Sequence, residues 1–261
     1  MTRKVLDPQF LRDVKLRLLQ MHFEAGVGHI GGNLSALDVL LCLYHRVMGE
    51  LDQFVLSKGH AAGAMYVTLW SVDLLPEEEL KSFHKDGTRL SGHPPVASIP
   101  AILFATGSLG HGPGLAAGLA LAKRLRGQQG HVFCLTSDGE WNEGSSWESL
   151  IFARHQRLGN LTFVVDLNGL QGFGTTEEVA DLHPLSEKFV AFRLPTQEVD
   201  GHDINALTAA LTPTAHDVPR VIVAKTRKGC GVSFMENRME WHYLPLSAAQ
   251  YAAAVKELQS T

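Results

Sequence analysis

Cysteine is scarce: only Cys42, Cys134 and Cys230 occur in 261 residues. Odd in number, far apart and without a CxxC pair, they exclude a disulfide framework and a paired-cysteine zinc site, and they suit a reducing cytoplasm. No run approaches the roughly 18 apolar residues that a bilayer span requires, which excludes a transmembrane segment. The opening Met-Thr-Arg-Lys-Val-Leu-Asp leads into a charged amphipathic stretch and does not read as a secretory signal. Basic charge is not in excess either: 23 Lys+Arg stand against 27 Asp+Glu, a net charge of −4. A chain of that balance lacks the basic footprint of a nucleic-acid binder. Repeats, low-complexity tracts and linkers are also missing. What remains is an ordinary globular composition, 45% hydrophobic and 19% charged, which predicts one large domain over residues 1–261 with no membrane or nucleic-acid partner.

Within that domain, apolar residues recur at helical spacing over 8–24 (Phe10, Leu11, Val14, Leu18, Leu19, Met21) and again from Asn33 to Val47. Three nearly continuous apolar runs, His131–Thr136, Leu161–Asp166 and Arg220–Ala224, read as strands buried on both faces of a parallel sheet. Helical patterns lie around 113–126, 145–157 and 204–211. Ser247 and Gln250 have capping-box spacing ahead of a helix at 248–259. Strands alternating with helices predict an α/β fold, an open, mostly parallel sheet with helices on both faces.

Histidine and glycine are paired far more often than chance allows. Six of the 13 His directly follow one of the 25 Gly (His29, His60, His93, His111, His131 and His202), where random placement gives about one. Imidazole changes charge near neutrality and both donates and accepts hydrogen bonds, so several such corners on separate loops could converge on one polar pocket. His131 opens a predicted strand and reads as structural. Asp138, in Ser137-Asp-Gly-Glu140, and Asn168, in Asp166-Leu-Asn-Gly169, each follow a predicted strand directly. Ligands of open α/β sheets sit outside the carboxyl ends of the strands. A carboxylate and an amide carbonyl there are hard oxygen ligands suited to Mg²⁺ or Ca²⁺, whose shell phosphate oxygens would complete. The run Gly107-Ser-Leu-Gly-His-Gly-Pro-Gly114 can present backbone N–H groups to an anion at a helix start, or can simply be a close-packing loop.

Asp-Gly, thirty residues, then Asn after an apolar strand resembles the thiamin diphosphate motif. More narrowly, the chain resembles the N-terminal, diphosphate-binding part of transketolases. Seven pieces occur in family order over residues 10–245: Gly28-His29, Ser57-Lys-Gly-His-Ala61, Gly92-His-Pro94, Thr106-Gly-Ser-Leu-Gly110, Ser137-Asp-Gly-Glu140, Val199-Asp-Gly-His-Asp203 and Lys225-Thr-Arg-Lys-Gly-Cys-Gly231. The resemblance implies the following roles. Asp138, the Asn168 side chain and the Leu170 carbonyl would hold Mg²⁺ (or Ca²⁺). Gly139, Asn168 and His60 would meet the cofactor diphosphate, and Gly107, Ser108 and Leu109 would border its aminopyrimidine. His29, His93 and His242 would line the substrate channel, His242 also facing the cofactor. Glu143 would join a carboxylate network reaching a second cofactor.

The resemblance also has departures. Ser137 replaces the first Gly of the usual Gly-Asp-Gly. Gly172 stands where the family commonly has a bulky aliphatic against the thiazolium, leaving Phe173 to take over that contact or the pocket wider. His111 stands where Gln is frequent. Pyrimidine-binding and C-terminal domains have no counterpart in these 261 residues, so the activating Glu of the pyrimidine domain would come from a separate C-terminal transketolase subunit in a two-plus-two heterotetramer. The implied activity is transfer of a two-carbon ketol unit from a ketose phosphate to an aldose acceptor, by a cytoplasmic split transferase with sugar phosphate substrates. Two alternatives stand beside it: a specialised relative using a pyruvate-derived acyl unit or a nucleotide-bound sugar, and a non-catalytic subunit that binds Mg²⁺–thiamin diphosphate.

Overall fold

The computed structural model describes residues 1–95 and 99–260. Five strands, β1 (Gln53–Leu56), β2 (Val132–Ser137), β3 (Leu161–Leu167), β4 (Thr196–Asp200) and β5 (Arg220–Lys225), form one parallel sheet in the order β1-β2-β3-β5-β4. Helices α1 (Pro8–Ala25), α2 (Ile30–Cys42), α3 (Ala62–Ser71), α4 (Glu77–Leu80), α5 (Gly112–Leu125), α6 (Gly144–His155), α7 (Thr176–Ala180), α8 (Leu185–Ala191), α9 (Ile204–Leu211) and α10 (Ala248–Gln259) complete it. No described helix is long and apolar enough to cross a membrane.

Successive strand side chains point to opposite faces, and the sequence supplies an apolar residue for each. Phe133, Leu135, Val164 and Ile222 join a core with α1, α2, α3, α9 and α10. Val132, Cys134, Phe163, Val165 and Val223 join a second core with α5, α6 and α8. The expected sheet with helices on both faces is therefore the observed one.

Local chemistry sets the helix ends. Asp7 accepts from the Phe10 N–H at 2.8 Å, Pro8 opens α1, and Gly26 closes it in the left-handed conformation. Ser247 and Gln250 form the predicted capping box of α10. The Asn33–Val47 pattern divides: α2 ends at Cys42, and the chain continues as a wider turn over Leu43–Val47. Two further strands are too short or too exposed to carry a clear apolar pattern. β1 has four residues, and β4, at the sheet edge, buries only Val199. The apolar helix α3 is buried nearly all round, so its sequence lacks the one-sided period that marks a surface helix.

Three buried histidines outside the sheet edge make the fold acid-sensitive. His22 Nδ1 meets the Leu18 carbonyl at 3.1 Å, His45 accepts from the Lys4 N–H at 3.0 Å, and His131 Nε2 meets the Thr162 hydroxyl at 2.7 Å. Burial lowers each of them to about 4. Because the folded values lie below the unfolded value of about 6.5, their stability is fully present above that pH and is lost as pH falls toward 4. Urea midpoints measured from pH 7.5 to 4.5 are expected to fall through this window. A flat profile would contradict the burial assigned to these rings.

Candidate active site

Four strands deliver their carboxyl ends to one edge of the sheet. After β1 the chain turns through Ser57, Lys58 and His60; after β2 comes Asp138; after β3, Asn168; after β5, Lys228. Between these ends lies a cavity of about 250 Å³. Of the residues implicated from the sequence, His29, His60, His93, Gly107, Leu109, Asp138, Gly139, Asn168, Leu170 and His242 all line it. Two do not. Ser108 lines an adjoining open groove of about 840 Å³ with His111, Ser145 and Ser149, and Glu143 is exposed beside it, its Cβ packed close over Gly110.

One side of the cavity is built of hard oxygens. Asp138, buried, accepts from the Gly139 N–H at 2.8 Å and from the Gly169 N–H at 2.6 Å, which ties the β2 and β3 loops together. Asn168 Oδ1 accepts from the Leu170 N–H at 3.1 Å. Burial and repulsion from Asp166 raise Asp138 to about 6. A buried carboxylate with an amide oxygen beside it, and no cationic side chain hydrogen-bonded to it among the described residues, fits a divalent cation in its donor chemistry.

Two buried lysines lie at this end of the sheet, Lys228 lining the cavity and Lys58 behind it. Lys58 donates to Asp166 and to the Gly32 carbonyl, with the Lys58 and Asp166 side chains both fully out of water. Burial by itself would raise Asp166, but Lys58 together with the Ser35 and Thr226 hydroxyls holds it below the ordinary carboxylate range. Lys228, also buried, reaches His242 Nδ1 at 3.0 Å. Burial and repulsion from Lys58 lower Lys228 to about 8. Neither lysine receives a role from the sequence, although both stand inside the family motifs; a Lys before a Gly turn just past a strand end is the available signal.

Four imidazoles form the wall. The His29 ring lies 5.8 Å from His60, 5.7 Å from His93 and 5.2 Å from His242, and His60 lies 5.4 Å from His242. His29 adopts φ +66°, a left-handed conformation costing a non-glycine residue on the order of 1 kcal/mol, at the start of α2. Burial dominates the lowering of His29 to about 4, of His242 to about 3 and of His60 well below its ordinary value, with Lys228 or Lys58 adding repulsion. Burial, with repulsion from His84, lowers His93 as well, so the surroundings of all four rings disfavour the charged form.

The other glycine-preceded histidines go elsewhere. His111 faces the open groove, and His131 is buried at the start of β2. His202 spends both ring nitrogens on structure, meeting Asp38 at 2.8 Å and accepting from the Arg227 N–H at 2.9 Å. Glu140, which sequence reasoning passes over in favour of Glu143, is buried and accepts from the Ser57 hydroxyl and from the Gly110 N–H at 2.8 Å, joining three loops of the site.

Comparison with known proteins places this geometry. Residues 13–260 match the family model described as "Transketolase, thiamine diphosphate binding domain". An apulose-4-phosphate transketolase subunit of Actinobacillus succinogenes is 36% identical over 255 residues, covering 94% of this chain and 92% of that protein. The 6-deoxy-6-sulfo-D-fructose transketolase subunit SqwG of a Clostridium species is 35% identical, covering 99% and 98%. Among solved structures, the transketolase of Campylobacter jejuni superposes with a TM-score of 0.87 at 26% identity, over 96% of this chain and 43% of that one. That of Leishmania mexicana does so with a TM-score of 0.88, over 98% and 42%. The chain thus spans less than half the length of these solved transketolases. Matched along nearly its whole length by sequence and by fold, the chain belongs to the transketolase family, in its thiamin diphosphate-binding domain.

Proposed function

We propose that this chain is the diphosphate-binding subunit of a two-chain transketolase, acting in the cytoplasm as a single domain over residues 1–261. The observation that carries the reading is one cavity lined by hard oxygens, the Lys228 ammonium and four imidazoles, with the Lys58–Asp166 pair buried behind it. Asp138, the Asn168 side chain and the Leu170 carbonyl would hold Mg²⁺ or Ca²⁺. Gly139, Asn168 and His60, with the positive field of Lys58 and Lys228, would hold the thiamin diphosphate anion. Gly107, Ser108 and Leu109 would border its aminopyrimidine. When bound, the cofactor supplies an electron sink for cleavage of the carbon–carbon bond next to a ketose carbonyl.

The remaining chemistry falls to this chain's side chains. Cleaving a ketose requires removal of a hydroxyl proton, and accepting an aldehyde requires its return. His29, His93 and His242 are positioned around one volume to hold that proton in both directions. An anionic diphosphate would offset the repulsion from Lys58 and Lys228 and so favour uptake of a proton by the imidazoles, bringing their titration closer to neutral pH, where proton transfer is most effective.

A separate C-terminal transketolase subunit with the pyrimidine-binding domain would close the open groove at Ser108 and His111, meeting Glu143, in a two-plus-two heterotetramer. Relatives of about this chain's length that are named as transketolase subunits support a separate partner subunit. Their names carry different ketoses, so the donor class is a ketose phosphate or an analogue, with an aldose acceptor. The test is reconstitution: the chain alone with Mg²⁺ and thiamin diphosphate should bind cofactor without turnover, and adding the pyrimidine-domain subunit of the same organism should give two-carbon transfer. Full turnover by the chain alone, or none by the loaded pair, would overturn the proposal.

A further inference from the structure

Tyr243 lies outside the motifs above and receives no role from them. Tyr243 follows His242, with its ring 4.8 Å from that imidazole, and lines the cavity with half its surface exposed. Two glycines on two other loops make room for it. A Cβ at Gly28 would overlap the Tyr243 carbonyl oxygen and lie 2.7 Å from the carbonyl carbon. A Cβ at Gly172 would overlap the Tyr243 phenol oxygen and lie 3.2 Å from Cζ. Neither glycine has a left-handed backbone, so conformation does not demand glycine at either position; at Gly28 the close backbone does, and at Gly172 a side chain could enter only by pushing the Tyr243 phenol aside. The same segment is pinned by the His29 N–H donating to the His242 carbonyl at 3.1 Å. The side chain missing at Gly172 is therefore not an empty place: the phenol of Tyr243 stands where that side chain would begin.

We propose that Tyr243 is a specificity-determining residue that takes the place of a side chain at Gly172, its ring setting the width of the cavity beside His242 and its hydroxyl recognising a hydroxyl of the sugar substrate. This assignment rests on the transketolase reading. An aliphatic side chain at that place would offer only contact, whereas a phenol both donates and accepts a hydrogen bond. Seated next to His242 and facing the same cavity as His29, it favours a hydroxyl-rich ketose over a substrate lacking hydroxyls near the cleaved bond, because a site built to pair a hydroxyl discriminates against an analogue without one.

The test combines two cycles. In the first, the urea stability of the full chain is compared for wild type, Gly172→Ala, Tyr243→Gly and the double variant. Gly172→Ala is expected to destabilise the wild-type background and to be neutral with Tyr243→Gly; equal effects in both backgrounds would overturn the shared seat. In the second, the enzyme loaded with its pyrimidine-domain subunit is assayed with fructose 6-phosphate as donor. Tyr243→Phe should raise KM about 10-fold, the worth of one lost hydrogen bond, with kcat and thiamin diphosphate affinity within about twofold of wild type. Normal transfer by wild type with unchanged KM in Tyr243→Phe overturns the Tyr243 assignment alone. No transfer by the loaded wild-type pair with any ketose phosphate overturns the functional reading and the substrate role of Tyr243 with it.

Discussion

In Asp138→Ala, cation-dependent binding of thiamin diphosphate is expected to fall by more than about 100-fold, since losing even an outer partner of a bound metal costs roughly 10–100-fold. The reasoning is electrostatic. Asp138 is buried, its two oxygens each accept one backbone N–H, and burial with Asp166 nearby raises it to about 6. Lys58, a buried cation whose charge reaches it, is already committed to Asp166. A divalent ion is the partner that suits the remaining charge, and it in turn compensates the diphosphate. Titrating thiamin diphosphate calorimetrically into wild type and variant, with Mg²⁺ and with chelator, separates the contributions. Wild type should lose affinity when Mg²⁺ is removed, and the variant should show no difference between the two conditions. Unchanged affinity in Asp138→Ala would remove the metal assignment.

The second large effect is kinetic. His93→Ala in the reconstituted enzyme is expected to lower the transfer rate by about 100-fold or more, within the range of a lost general acid–base, while thiamin diphosphate affinity stays within about twofold. His93 is the imidazole best suited to this experiment. It is exposed, so its removal opens no cavity in the core, and its ring neighbour in the wall is His29, 5.7 Å away. His242, by contrast, is tied to Lys228, and His60 is packed among the other rings, so substituting either would disturb anion binding as well. Steady-state rates and cofactor titration on the same preparation give the comparison. Normal kinetics in His93→Ala would contradict its place in proton transfer.

Much of this molecule is legible in its residues. Three central strands are visible because each is apolar on both faces, and that same pattern places Asp138 and Asn168 at productive strand ends. The short strands β1 and β4 and the buried helix α3 are not visible, since a four-residue run and an all-round apolar helix have no distinctive period. Glycine-preceded histidine is a signal with mixed content. His29, His60 and His93 converge, whereas His202 instead joins Asp38 to the Arg227 backbone. Lys58, Lys228 and Glu140 escape because their importance lies in which loops they join, a relation of contacts at long sequence separation. Gly172 reads as the loss of a side chain, and only the fold brings Tyr243 into its place.

The proposed function requires this chain to form one half of a composite site. Native mass spectrometry of the tagged chain, purified from its own host in Mg²⁺ and thiamin diphosphate, tests it most directly. A stoichiometric second chain carrying a pyrimidine-binding domain is expected, in a two-plus-two complex with cofactor bound. Recovery of the chain only with itself and without cofactor would contradict it.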